Sequence, residues 1–119
     1  MPRFAALHYR LTEIAADDIV DILKESRRQF GPVQRDRYAR LIAKAAEMIG
    51  DNPERVGSRK RDDLLDGLRS FHVELAAGRL GAASHVLYYL RDDGGDGVII
   101  LRVLHRRMDS VMHIGTDLG

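Results

Sequence analysis

A chain of 119 residues that is 45% apolar and 31% charged fits one domain with a core of its own and excludes a disordered or fibrous protein. It has no cysteine, which excludes a disulfide framework or thiolate metal site and fits a reducing, cytoplasmic setting. The formal net charge of +1 argues against a protein that coats nucleic acid, and no run suggests a signal peptide or membrane span.

The near-neutral balance hides an uneven layout. Arginine supplies 16 of the 19 cations, grouped as Arg27-Arg28, Arg35-Arg37-Arg40, Arg59-Lys60-Arg61 and Arg106-Arg107. Its planar fork suits bidentate contact with carboxylates and phosphates, so an acidic protein partner fits. A GC-rich genome would produce the same bias without any function.

In chain order, "RFAALHYRL" (3–11) partly alternates and predicts a first strand, with Thr12 as N-cap of a helix behind it. From Glu13 the period turns helical. Ala15, Ile19, Ile22, Leu23, Ser26 and Phe30 form one stripe, with acids at the start and cations at the end, as a helix dipole favours. Gly31-Pro32 stops that helix and starts another over about 33–49, burying Tyr38, Leu41, Ile42, Ala45, Met48 and Ile49. Its outer face carries Arg35, Arg37, Arg40 and Lys44, either a solvated face or a docking surface for acidic side chains. Gly50 and "DNP" are read as its end, and so short a link between the helices makes an antiparallel hairpin that covers a sheet.

Residues 51–67 have neither period and read as a charged surface loop. Three strands follow: 68–75, with Phe71, Val73 and Leu75 on one face; 84–90; and 97–105. The last two are joined by the hairpin signal "DDGGDG", and "AAGRLGAA" (76–83) reads as a looser hairpin loop. The expected fold is α+β in the order β-α-α-β-β-β, a single domain over 1–119 with an antiparallel sheet covered on one face by the two-helix hairpin.

The final strand holds the sharpest question. In "VIILRVLHRRMD" (98–109), strict alternation puts Val98, Ile100, Arg102 and Leu104 on one face and Ile99, Leu101, Val103 and His105 on the other. An arginine inside so apolar a run needs a partner or an edge of solvent. One reading is a structural ion pair with a carboxylate such as Glu74 or Asp109. The other makes Arg102 the floor of a shallow polar groove on the helix-free side of the sheet, rimmed by His105, Arg106 and Arg107. His105 has no companion at a spacing that specifies acid–base catalysis. The five histidines lack metal-ligand spacing, and the glycines join strand to strand rather than opening a helix, so neither a metal, another cofactor nor a phosphate loop is expected.

"YRLTEIAADDIVDIL" (9–23), "QFGPVQRDRYARLI" (29–42), "NPERVG" (52–57), "RDDLLDGLRSF" (61–71), "HVLYYLRDD" (85–93) and "ILRVLHRRMD" (100–109) resemble, in order, the RelE/ParE toxin superfamily. "GLRSF" and "RVLHxxMD" point to the ParE branch. The resemblance implies a bacterial toxin of a type II toxin–antitoxin pair, neutralised in a hetero-oligomer by a ParD-type antitoxin and directed at DNA gyrase, with no sequence-specific nucleic-acid binding of its own. The residues expected to meet antitoxin or target are Arg102, His105, Arg106, Arg107, Met108, Asp109, Arg69, Arg37 and Arg40, with no catalytic residue among them. The alternative is a RelE-like ribosome-dependent mRNA endonuclease. Met108 and Met112 stand near where such a nuclease would use an arginine and a tyrosine, and no tyrosine follows Tyr89. The extended 76–83 loop departs from the tight turn usual in the ParE pattern.

Overall fold

A computed structural model describes residues 8–93, 96–108 and 114. Strand β1 (Tyr9–Leu11) leads into helices α1 (Glu13–Phe30) and α2 (Pro32–Asp51). Strands β2 (Arg59–Lys60) and β3 (Arg69–His72), a short helix α3 (Glu74–Ala77), and strands β4 (His85–Arg91) and β5 (Val98–His105) come after them. The five strands form one sheet in the order β1-β5-β4-β3-β2.

Three features depart from the sequence reading. The sheet is mixed, because β1 pairs parallel with β5 while the other pairings are antiparallel. Two long helices separate β1 from the next strand, so it can return to the sheet beside the last strand rather than as part of a hairpin. The 51–67 segment contributes β2, too short to leave a period in the sequence. The expected 68–75 strand stops at His72, and "ELAA" forms the helical turn α3, ended by Gly78 in the left-handed conformation. Those residues are good helix formers, and the turn leaves Leu75 41% exposed while Phe71 and Val73 are buried.

Thr12 Oγ1 accepts the Ala15 N–H at 3.0 Å and donates to the Leu101 carbonyl at 2.9 Å, so one side chain caps α1 and ties it to β5. α1 and α2 cover one face of the sheet. Ala15, Ile42, Ala45 and Ile49 meet Phe71, Leu87, Tyr89, Val98, Ile100 and Val103 there. Phe30, expected in the α1 stripe, is 68% exposed at the hairpin tip. On the opposite face Leu68, Tyr88, Leu101, Leu104 and Ile114 form a second cluster, with Leu64 and Leu65 packed against it.

Gly50 does not end α2 but lies inside it. A Cβ there would stand 2.7 Å from the His8 carbonyl oxygen, and one on Gly97 would meet the same oxygen at 1.6 Å. The two glycines admit the backbone that enters β1, whose His8 carbonyl accepts the Val98 N–H at 2.9 Å.

Candidate functional site

β5 carries the irregularity that strict alternation misses. Tyr88 pairs with Arg102 but Tyr89 pairs with Ile100, so Leu101 is an extra residue in β5. This β-bulge slips the phase of the strand. Val98, Ile100 and Val103 join the helix-side core, whereas Ile99, Leu101 and Leu104 join the opposite cluster.

Arg102 is therefore not the floor of a solvent groove. It is 8% exposed, and Asp18 of α1 takes it in a bidentate pair, Nε to Oδ2 at 2.8 Å and Nη2 to Oδ1 at 2.9 Å. Asp18 Oδ2 also accepts the Val103 N–H at 2.9 Å. The carboxylate thus answers a charged side chain and a backbone donor of β5 together. The ion-pair reading holds through Asp18, and Glu74 instead accepts the Gly81 N–H. Asp109, the other expected partner, lies outside the described residues.

His105 is the half-buried last residue of β5, just before the exposed turn at 106–108. Its Nδ1 accepts the Arg107 N–H at 3.0 Å, and its ring meets that of His85 edge-on, centroids 5.3 Å apart. Tyr38 Oη accepts the Ser84 N–H and lies 2.7 Å from His85 Nδ1. Burial, then the neighbouring His105 and His72, lower the His85 pKa to about 4, so its ring is neutral at neutral pH and shares a hydrogen bond with the Tyr38 hydroxyl. His85, His105 and Tyr38 line a cavity of about 430 Å³ beside the end of α1.

The side chains of Arg106, Arg107, Arg37 and Arg40 make no hydrogen bond or ion pair among the described residues, and all four are exposed. Met108, 42% exposed, ends the same turn. Arg69 is placed apart from them. Its Nε donates to Ser58 Oγ at 2.8 Å, Ser58 Oγ donates to Tyr89 Oη, and the Tyr89 hydroxyl donates to the Pro53 carbonyl at 2.6 Å. That directed chain fastens the 53–58 loop over the sheet, with Arg69 as one of its anchors.

A groove does exist on the helix-free face, one strand further out than expected. Ser70, His72, Val86 and Tyr88 form its floor, while Arg59, Arg61, Leu75 and Leu80 line its sides, around about 530 Å³. Arg61 pairs with Asp63 and stands over the Tyr88 ring, 5.8 Å from its centroid. Sequence reasoning missed this site because its outer wall is β2. The available signal was the run Arg59-Lys60-Arg61 beside "VG". Among the described residues no group of three histidine or acidic side chains is placed to hold a metal ion, and no helix is long and apolar enough to cross a membrane.

Residues 9–110 match the family model described as the ParE toxin of the type II toxin–antitoxin system parDE. The chain belongs to the ParE toxin family. Toxin ParE1 of Caulobacter vibrioides is 35% identical over 107 residues, covering 90% of this chain and 97% of that protein. In fold, this ParE-family chain is similar to a chain of the chromosomal ParDE system from P. aeruginosa. The TM-score is 0.63 at 16% identity, over 82% of this chain and 92% of the other.

Proposed function

We propose that this ParE-family toxin acts by binding rather than by chemistry of its own, with DNA gyrase as its target and a ParD-type antitoxin as its neutralising partner in the cytoplasm. The observation that carries the reading is the family match, which spans nearly the whole chain, with 35% identity to Toxin ParE1 over 107 residues. The geometry supports it. The turn after β5 presents Arg106 and Arg107 outward while Arg102 is spent on holding the strand to α1. Two adjacent exposed guanidinium groups on one turn suit carboxylates of a protein surface.

Induced expression should give filamentous cells, and purified protein should inhibit supercoiling by gyrase. Arg106→Glu with Arg107→Glu should weaken that inhibition at least tenfold while leaving the melting temperature within a few degrees. Unimpaired supercoiling alongside cleavage of ribosome-bound message would replace this reading with the ribonuclease one. The Tyr38–His85–His105 cluster favours that second reading, since it gathers groups able to move protons. A His105→Ala variant that abolished RNA cleavage would establish it.

A further inference from the structure

The cavity of about 430 Å³ lies where the end of α1 and the start of α2 meet β4 and β5. Its size is within the range of small-molecule sites, roughly 300–1,000 Å³. Ile22, Ser26 and Phe30 line it from α1, and Gln34 and Tyr38 from α2. Its remaining sides are His85, His105 and residues 81–84. Gly81 to Ala83 belong to the extended loop that departs from the ParE pattern, so that pattern does not account for this wall. Phe30 borders the cavity while 68% exposed, although the periodicity of α1 places it in the buried stripe.

Charge limits what can enter. Glu25 is the one carboxylate in the lining among the described residues, and both its oxygens are taken by Arg28, with Gln29 donating to one of them. No lysine or arginine lines the cavity among the described residues, and burial keeps the His85 ring neutral at neutral pH. A phosphate, carboxylate or ammonium would enter without a counter-ion, which is costly. Hydrogen-bonding capacity, by contrast, is left over. The side chains of Ser26, Gln34 and Ser84 make no hydrogen bond among the described residues. His105 Nδ1 accepts the Arg107 N–H, so Nε2 of the neutral ring is a donor. Tyr38, His85 and His105 meet edge-on. Phe30 makes no ring contact among the described residues and keeps its faces for a flat guest.

We propose that this cavity binds an uncharged planar heterocycle of nucleobase size, as the free base or a nucleoside. One ring face lies on Phe30, and the edge donors and acceptors are answered by Gln34, Ser84 and the His105 imidazole. Phe30 and Gln34 stand on either side of the break between the two helices. The guest therefore bridges the tip of the helix hairpin and the end of β5, just before the turn at Arg106 and Arg107. Stacking on an aromatic side chain tolerates every base, whereas donors and acceptors together favour a base over a plain ring. The assignment rests on neither reading of the toxin's target, and no bond of the ligand is made or broken.

The test titrates the isotope-labelled full chain with adenosine, guanosine, cytidine and uridine in turn, followed by NMR. At least one nucleoside should give saturable shifts confined to the amides of residues 29–34 and 81–85 and to the His85 and His105 rings. Phe30→Ala should weaken that binding about tenfold, the usual effect of removing one stacking ring. Gln34→Ala should weaken it several-fold. Both positions are exposed, so the melting temperature should not change. Val56→Ser, at a 98% exposed position outside the cavity, should leave binding intact. Benzoate and benzamidine, charged rings of similar width, should not compete, and adenosine monophosphate should bind no more tightly than adenosine. Absence of saturable shifts with all four nucleosides overturns the proposal, as do shifts centred elsewhere or indifference to Phe30→Ala. Competition by either charged ring, or tighter binding of the monophosphate, overturns it too, because charge would then select the guest.

Discussion

Replacing Asp18 by alanine removes the bidentate carboxylate from a guanidinium that has almost no access to water, and it strips the acceptor from the Val103 N–H. Breaking a buried pair from one side costs about 3–5 kcal/mol. A chain of this size should therefore lose roughly 10 °C or more in melting temperature. Asp18→Asn, which keeps an acceptor for Val103, should lose less. Differential scanning fluorimetry of the two variants separates charge from hydrogen bonding. An Asp18→Ala protein that melted like wild type would mean that the pair adds nothing to stability. Arg102 could be seen in the sequence as a cation needing a partner. Its partner could not, because Asp18 lies 84 residues away on a helix whose exposed face is already acidic. Arg69 has the same history: the sequence marks it within "GLRSF", and only the fold shows its guanidinium fastening Ser58 and, through it, Tyr89.

At the scale of elements, the docking of β1 depends on two places where a side chain is missing. Gly97→Ala would put a Cβ 1.6 Å from the His8 carbonyl oxygen, at a backbone φ of +90° that L side chains rarely adopt. The Val98–His8 hydrogen bond and the first parallel pair of the sheet should then be lost. Amide exchange at Val98 should accelerate in this variant while the β3–β4 amides stay protected. Uniform acceleration across the sheet would show instead that β1 docking is inseparable from global folding. The two long helices were legible in the sequence, from Thr12 through Gly31-Pro32, because amphipathic period, cap and break agree there. β2 and α3 were not, since two residues of strand and four of helix are shorter than any period that could announce them. The β5 bulge was hidden for a related reason: Val98 to Leu104 is aliphatic on both faces apart from Arg102, so a slip of one residue leaves no mark in the pattern.

For the whole molecule, acidity is the revealing variable. His85 sits where α2, β4 and β5 meet, faced by Tyr38 and by His105, with His72 across the sheet. Its folded pKa, lowered to about 4 by burial and then by the other two rings, lies below the ordinary value near 6.5. Burial shifts His72 in the same direction, with Glu74 opposing. Between these pH values the unfolded chain binds the extra protons, so stability is fully present above about pH 6.5 and declines as pH falls toward 4. Urea midpoints measured from pH 7.5 to 5 should fall across the lower half of that range, and His85→Gln should flatten the slope. A midpoint that rose on acidification would reverse the assignment of a neutral His85.

The sequence by itself determined the α+β class, the helical hairpin, the strand-rich second half and the family, because each is written in local period, capping and contiguous motif. Tertiary structure alone decided which strands are neighbours, which partner neutralises Arg102, and where the open groove lies. Those are contacts between residues far apart in the chain, and their energies depend on a geometry that no local pattern encodes.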